Sequence, residues 1–135
     1  MTGFDAEIAV APDAIAQLTQ RTSEFLRNAG VDEYAAHHVA LVLEEMLSNL
    51  GTHGKSPGAP ATVRITVETD RVRAEIADSG PFFDPRSAPT PDLRADLADR
   101  PIGGLGLFLT RQLALDLDYA RRGGQNFTSF SIPRR

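Results

Sequence analysis

The sequence contains no cysteine, which excludes disulfides and thiolate metal centres. It carries no excess of positive charge. Fourteen Lys and Arg against 18 Asp and Glu leave a net charge of −4, which gives no electrostatic case for direct nucleic-acid binding. No apolar run is long enough to span a bilayer, and no charged-then-apolar export pattern follows Met1. A cytoplasmic protein with no membrane partner is therefore expected. Internal repeats and low-complexity segments are lacking too. What is present is ordinary globular composition, 41% hydrophobic and 24% charged over 135 residues. That length suits a single domain, 1–135, with one core.

The most informative stretch runs from Val39 to Gly54. Val39, Val42, Leu43, Met46, Leu47 and Leu50 recur at helical spacing and form one apolar stripe. Glu45 and Asn49 fall one turn apart on the edge of that stripe, whereas Glu44 projects toward the opposite side. A carboxylate beside a buried seam is partly desolvated, and an amide oxygen there can ligate a hard cation. An amphipathic helix with a polar flank has the same pattern.

The remaining chain divides at its breakers. Phe4 to Val10 reads as a short opening strand. Pro12 suits the first turn of a helix that carries Ile15, Leu18, Thr22, Phe25 and Leu26 and stops at Gly30. Asp32 is an N-cap for the central helix, which ends near His53. Two clean alternations, Val63-Ile65-Val67 and Val72-Ala74-Ile76, predict an antiparallel hairpin turning at Thr69-Asp70. Residues 85–101 are rich in Pro, Asp and Arg with only two Leu, which predicts a lid-like loop, at least partly mobile. Gly103-Gly104-Leu105-Gly106 opens a third helix whose core side shows Leu107, Phe108, Leu109, Leu113 and, at its end, Leu115. Leu117 to Arg121 and Asn126 to Ile132 make a last hairpin around Gly123-Gly124. The expected fold is an α+β two-layer sandwich, with a mixed, mostly antiparallel sheet and its helices on one face.

Two further motifs carry chemistry. Asp78-Ser79-Gly80 follows a strand, where an acid beside a glycine can hold an exocyclic amine; Asp and Gly are also ordinary turn residues. The glycines of 103–106 ahead of a helix can bind an anion through freed backbone N–H groups, or can serve as a hinge. No Lys-Ser or Lys-Thr follows them, so this is no Walker loop, and the spacing does not fit a dinucleotide fingerprint. His37, His38 and His53 do not form a metal site.

Taken together and in order, Glu45-Met46-Leu47-Ser48-Asn49 with His53-Gly54, Asp78-Ser79-Gly80-Pro81 with Phe83-Asp84-Pro85, and Arg100-Pro101-Ile102-Gly103-Gly104-Leu105-Gly106-Leu107 resemble the anti-sigma-factor serine/threonine protein kinases. Those kinases belong to the Bergerat-type, histidine-kinase-like ATPases, and the resemblance spans nearly the whole chain. It implies ATP and Mg²⁺ as cofactors, with Glu45 as general base and Asn49 as the metal-holding residue. It places Asp78 at the adenine amino group, with Gly80 giving the base room and Thr128 close by. It sets Gly103, Gly104, Leu105, Gly106 and Leu107 along the phosphates under a lid of about 85–103. His53 belongs to the same nucleotide-contacting motif, although its position alone suggests capping or packing at the helix end.

The implied activity is phosphorylation of an anti-anti-sigma antagonist by a homodimer that otherwise holds a sigma factor or similar regulator. The first helix and strand would form the dimer interface. The alternative is a non-catalytic nucleotide-binding module of the same switching pathway, and a simple ATPase is a third reading. A histidine kinase is not expected, since it needs a helical dimerisation and phospho-acceptor region besides a domain of this kind. Two positions depart from the family pattern. Phe82 stands where many relatives have glycine, which would reshape the adenine pocket. Thr52 replaces a cation before the histidine, a loss that Arg86, Arg94 or Arg100 could make good.

Overall fold

A computed structural model describes residues 2–53, 59–87 and 110–135, with backbone alone at 51–53 and 87. Five strands form one sheet in the order β1-β2-β3-β5-β4, and every described pairing is antiparallel. β1 spans Thr2–Ala9, β2 Pro60–Val67, β3 Arg71–Asp78, β4 Leu115–Arg122 and β5 Gln125–Pro133. Two helices, α1 (Pro12–Asn28) and α2 (Glu33–His53), lie between β1 and β2 in the chain. This is the two-layer α+β architecture that the alternation patterns predict.

The central strands form because their apolar residues alternate and so share one face. Ala61, Val63, Ile65 and Val67 of β2 are buried, as are Val72, Ala74 and Ile76 of β3. Arg64, Arg73 and Glu75, between them, are exposed. β5 adds Phe130 and Ile132 to the buried face. α2 covers that face with the predicted stripe: Val39, Val42, Leu43 and Leu47 are fully buried, Met46 nearly so, and Leu50 packs at its margin. α1 packs on α2 and β1 through Ile15, Leu18 and Leu26, with Phe25 stacked on Phe4 at 5.4 Å.

Turn chemistry sets the boundaries. After α1, Gly30 N–H donates to the Arg27 carbonyl and Val31 N–H to that of Leu26, closing a Schellman motif in which Val31 and Leu26 are both buried. Asp32 then caps α2, accepting the Ala35 N–H at 2.9 Å. The β4–β5 hairpin turns on Gly123 and Gly124, with φ of 59° and 78°, which the strands' right-handed twist requires and only glycine adopts without cost.

Three boundaries differ from the sequence reading. β1 pairs from Thr2 and ends at Ala9, one residue before Val10, because register with β2 rather than hydrophobicity sets its length. β4 begins at Leu115, so this residue does not lie on the core side of the third helix; residues 110–113 are helical, and Leu115 is 48% exposed on the sheet edge. A bulge between Leu115 and Asp118, with Asp116 at φ 52°, returns Leu117 to the core side. Of the predicted lid, Pro85–Ser87 is a short 3-10 turn, and the rest, with its expected mobility, lies outside the described residues.

Candidate functional site

α2 and the far ends of β3 and β5 border a narrow cleft that opens to solvent. Met46, Asn49 and Leu50 line it from the helix, Ile76 and Asp78 from β3, and Thr128 from β5. Phe83 and Pro85 close one side. Its walls are mainly apolar with three convergent polar side chains, the usual makeup of a small-molecule site.

Three widely separated predicted residues thus meet in one place: Asn49, Asp78 and Thr128. Helical period brings Asn49 there. Register brings the other two, since Thr128 pairs with Ile76 and Asn126 with Asp78, so all four side chains share the buried face. Asn49 is only 5% exposed, and its Nδ2 donates to the Glu45 carbonyl at 2.7 Å. The amide oxygen carries no hydrogen bond among the described residues. Mg²⁺ prefers oxygen ligands and keeps several waters when it bridges phosphates, so one such oxygen is a fitting protein contribution. No group of three or more His, Asp or Glu that could hold a metal occurs among the described residues.

Glu45 sits one turn before Asn49 and is partly buried, while Glu44 is exposed. Burial pushes the Glu45 carboxyl above the usual range, and the neighbouring Glu44 charge adds to the effect. A carboxylate with a raised pKa is the stronger base.

Asp78 is 7% exposed. Its Oδ1 accepts the Gly80 N–H at 2.9 Å and the Asn126 Nδ2–H at 3.1 Å, while Oδ2 carries no hydrogen bond among the described residues. A Cβ on Gly80 would lie 2.9 Å from Asp78 Oδ1, so glycine is needed there for the approach to the carboxylate itself, whatever room it also leaves for a ligand. Asn126 is the residue that sequence reasoning missed. It is 2% exposed and gathers Asp78, the Gly80 and Pro81 carbonyls, Tyr119 and Arg121 around one amide. Its only sequence signal is a polar residue at a core-facing position of β5, and that face is legible only once the register is known.

Phe82 does not enter the cleft. It is 66% exposed and meets Tyr119 edge-on at 5.4 Å, and Phe83 takes the lining position. Arg86 is held by Asp84 at 2.8 Å and Asp118 at 3.1 Å, so it is engaged by carboxylates. Its guanidinium in turn holds the Asp84 carboxyl below the usual range. Gly103, Gly104, Leu105, Gly106, Leu107, Arg94 and Arg100 lie outside the described residues, as do the side chains of Thr52 and His53.

Comparison with known proteins agrees with this geometry. Over 100 residues, 70% of this chain and 70% of the relative, the sequence is 39% identical to the serine/threonine-protein kinase BtrW of Bordetella bronchiseptica. The fold superposes on the RsbU and RsbW domains of a Mycobacterium tuberculosis protein with a TM-score of 0.71 at 14% identity, covering 100% of this chain and 33% of that one. It also superposes on the SiaB–SiaC complex of Pseudomonas aeruginosa, with a TM-score of 0.63 at 17% identity and coverage of 96% and 89%. These likenesses bear out the histidine-kinase-like, Bergerat-type α+β fold expected from the motifs. The model for the histidine kinase-like ATPase domain matches residues 8–132, and the chain belongs to that family.

Proposed function

We propose that the protein is an Mg-ATP-dependent serine/threonine protein kinase of a partner switch. It holds a sigma factor or similar regulator and phosphorylates the antagonist that releases it. The observation that carries this reading is the cleft shared by Asn49, Asp78 and Thr128, with Glu45 one helical turn from Asn49. The 39% identity to a serine/threonine-protein kinase supports the kinase class.

In this reading Asp78 Oδ2 accepts the adenine amino group, and Met46, Ile76 and Phe83 enclose the base. Thr128 offers a hydroxyl beside Asp78. Asn49 supplies one oxygen to Mg²⁺, which when bound neutralises phosphate charge. The lid role of 85–103 and the phosphate contacts of Gly103 to Leu107 and of His53 come from the motif resemblance alone, and apart from those of residues 85 and 86 these side chains lie outside the described residues. The antagonist's hydroxyl oxygen bonds to the γ-phosphorus as the bond to ADP breaks, and Glu45 accepts the hydroxyl proton. Its raised pKa suits that task. The chain works as one domain and as a homodimer through α1 and β1, a reading supported by the place of β1 at the edge of the described sheet, where it pairs only with β2 among the described strands.

Incubation with Mg-ATP and a candidate antagonist tests the proposal. Phosphoserine or phosphothreonine forms on the antagonist with the native protein and is lost with Glu45→Gln. Nucleotide binding without transfer to any partner would instead establish a non-catalytic module.

A further inference from the structure

Asn126 is the side chain around which the adenine end of the cleft is fastened. It stands directly opposite Asp78 in the β3–β5 ladder, on the same buried face, and is 2% exposed. Its Nδ2 donates to Asp78 Oδ1 at 3.1 Å, to the Pro81 carbonyl at 3.0 Å and, more weakly, to the Gly80 carbonyl at 3.4 Å. Its Oδ1 accepts from Arg121 NH1 at 2.9 Å and from the Tyr119 hydroxyl. Arg121 NH1 also reaches the Gly80 carbonyl at 2.9 Å.

The orientation of this amide is forced. A guanidinium can only donate and a carbonyl can only accept, so the oxygen must face Arg121 and the nitrogen must face the 78–81 turn. Asp at this position would set a second carboxylate against Asp78 and two carbonyls. A hydrocarbon would strip Tyr119 of its acceptor and Asp78 Oδ1 of one of two donors. The consequence falls on Asp78. Two donors, Gly80 N–H and Asn126 Nδ2–H, converge on Oδ1 and stop rotation of the carboxylate. Oδ2 is left as the oxygen with no donor among the described residues, on a residue that lines the cleft.

We infer that Asn126 is a positioning residue for base selection: it locks Asp78 so that one carboxylate oxygen is committed to the protein and the other is presented to the exocyclic amine of adenine. The inference rests on the nucleotide reading above.

Two nucleotides separate the possibilities: ATP, and purine riboside 5′-triphosphate, which lacks the amino group. Their affinities are measured by displacement of a fluorescent nucleotide. Asp78→Asn is the control for the underlying reading and should lose affinity for ATP alone. Asn126→Ala should weaken ATP about tenfold, as expected for loss of hydrogen bonding to a charged group, and leave the analogue within about twofold. Asn126→Asp has the same size and guards against a failure to fold. Its deficit toward ATP should shrink on acidification, as a shared proton restores a donor between the two carboxylates; a packing defect would not follow pH in this way.

Equal weakening of both nucleotides by the Asn126 variants, or none, with Asp78→Asn still selective, would overturn the role of Asn126 and leave the nucleotide reading standing. An Asp78→Asn variant with no selective loss would bring down both.

Discussion

Asn49 donates its side-chain amide to the backbone carbonyl of Glu45, 2.7 Å away and one helical turn back. The bond does more than trim the helix surface. It turns the amide so that its oxygen, on a residue that lines the cleft, has no hydrogen bond among the described residues, and none is made there by the Glu45 carboxylate either. One i to i+4 relationship thus fixes the amide of a cleft-lining residue against the backbone of the candidate base.

Asn49→Ala removes that oxygen without introducing charge. Mg²⁺ should then lose its influence on ATP affinity, so that titrations with the ion and with a chelator coincide. Calorimetry of the native and variant proteins checks this, and circular dichroism should show an unchanged helix content.

Glu45→Gln should abolish transfer but retain nucleotide binding. It also has a signature in stability. Because the Glu45 carboxyl is raised in the fold, the folded state binds its proton more tightly than the unfolded chain. Its contribution is therefore fully present below the ordinary Glu pKa and is lost as pH rises through the raised value. Removing the charge should make the variant at least as stable as the native protein near neutrality, with the advantage vanishing on acidification to about pH 4. Urea melts across that range read the difference.

Asp32 behaves in the opposite sense. Backbone N–H donors from Arg135 and Ala35 hold its carboxyl below the usual range. Stability from this group is present above the unfolded-state value of 3.8 and is lost as pH falls through the lower folded value. Asp32→Ala should cost about 1 kcal/mol at neutral pH, the worth of an N-cap, and the penalty should fade in acid.

Gly80→Ala places a methyl group 2.9 Å from Asp78 Oδ1. The carboxylate or the turn must shift, so ATP affinity should drop at least about tenfold. The sheet is unaffected because Gly80 lies beyond β3. A thermal midpoint near that of the native protein, together with weak binding, would match this expectation.

Leu47→Ala tests the core under α2. Leu47 is fully buried within the main apolar cluster, and such truncations cost about 2–5 kcal/mol. Denaturant unfolding should show the loss as a lower midpoint at constant slope.

The patterns that depend on neighbouring residues were readable from the sequence alone. Periods of 3.6 and 2 marked α2 and the β2–β3 hairpin, Pro12 and Gly30 bounded α1, Asp32 capped α2 and Gly123-Gly124 turned the last hairpin, because helix, strand and turn preferences act over a few residues. The same locality placed Glu45 and Asn49 on one edge and Glu44 away from them. The ordered motifs added the family, and with it Asp78 and Thr128, which no local rule connects to α2.

Only the tertiary structure decided what strand register controls. Asn126 faces Asp78 across 48 residues because β5 pairs with β3 in one particular alignment, and a shift of a single residue would turn both Asn126 and Thr128 to the opposite face. The place of β4 at the sheet edge likewise leaves Leu115 exposed, and the loop after β3 carries Phe82 outward while Phe83 lines the cleft. Side-chain alternation is a property of each strand, but which partner it meets is a property of the sheet.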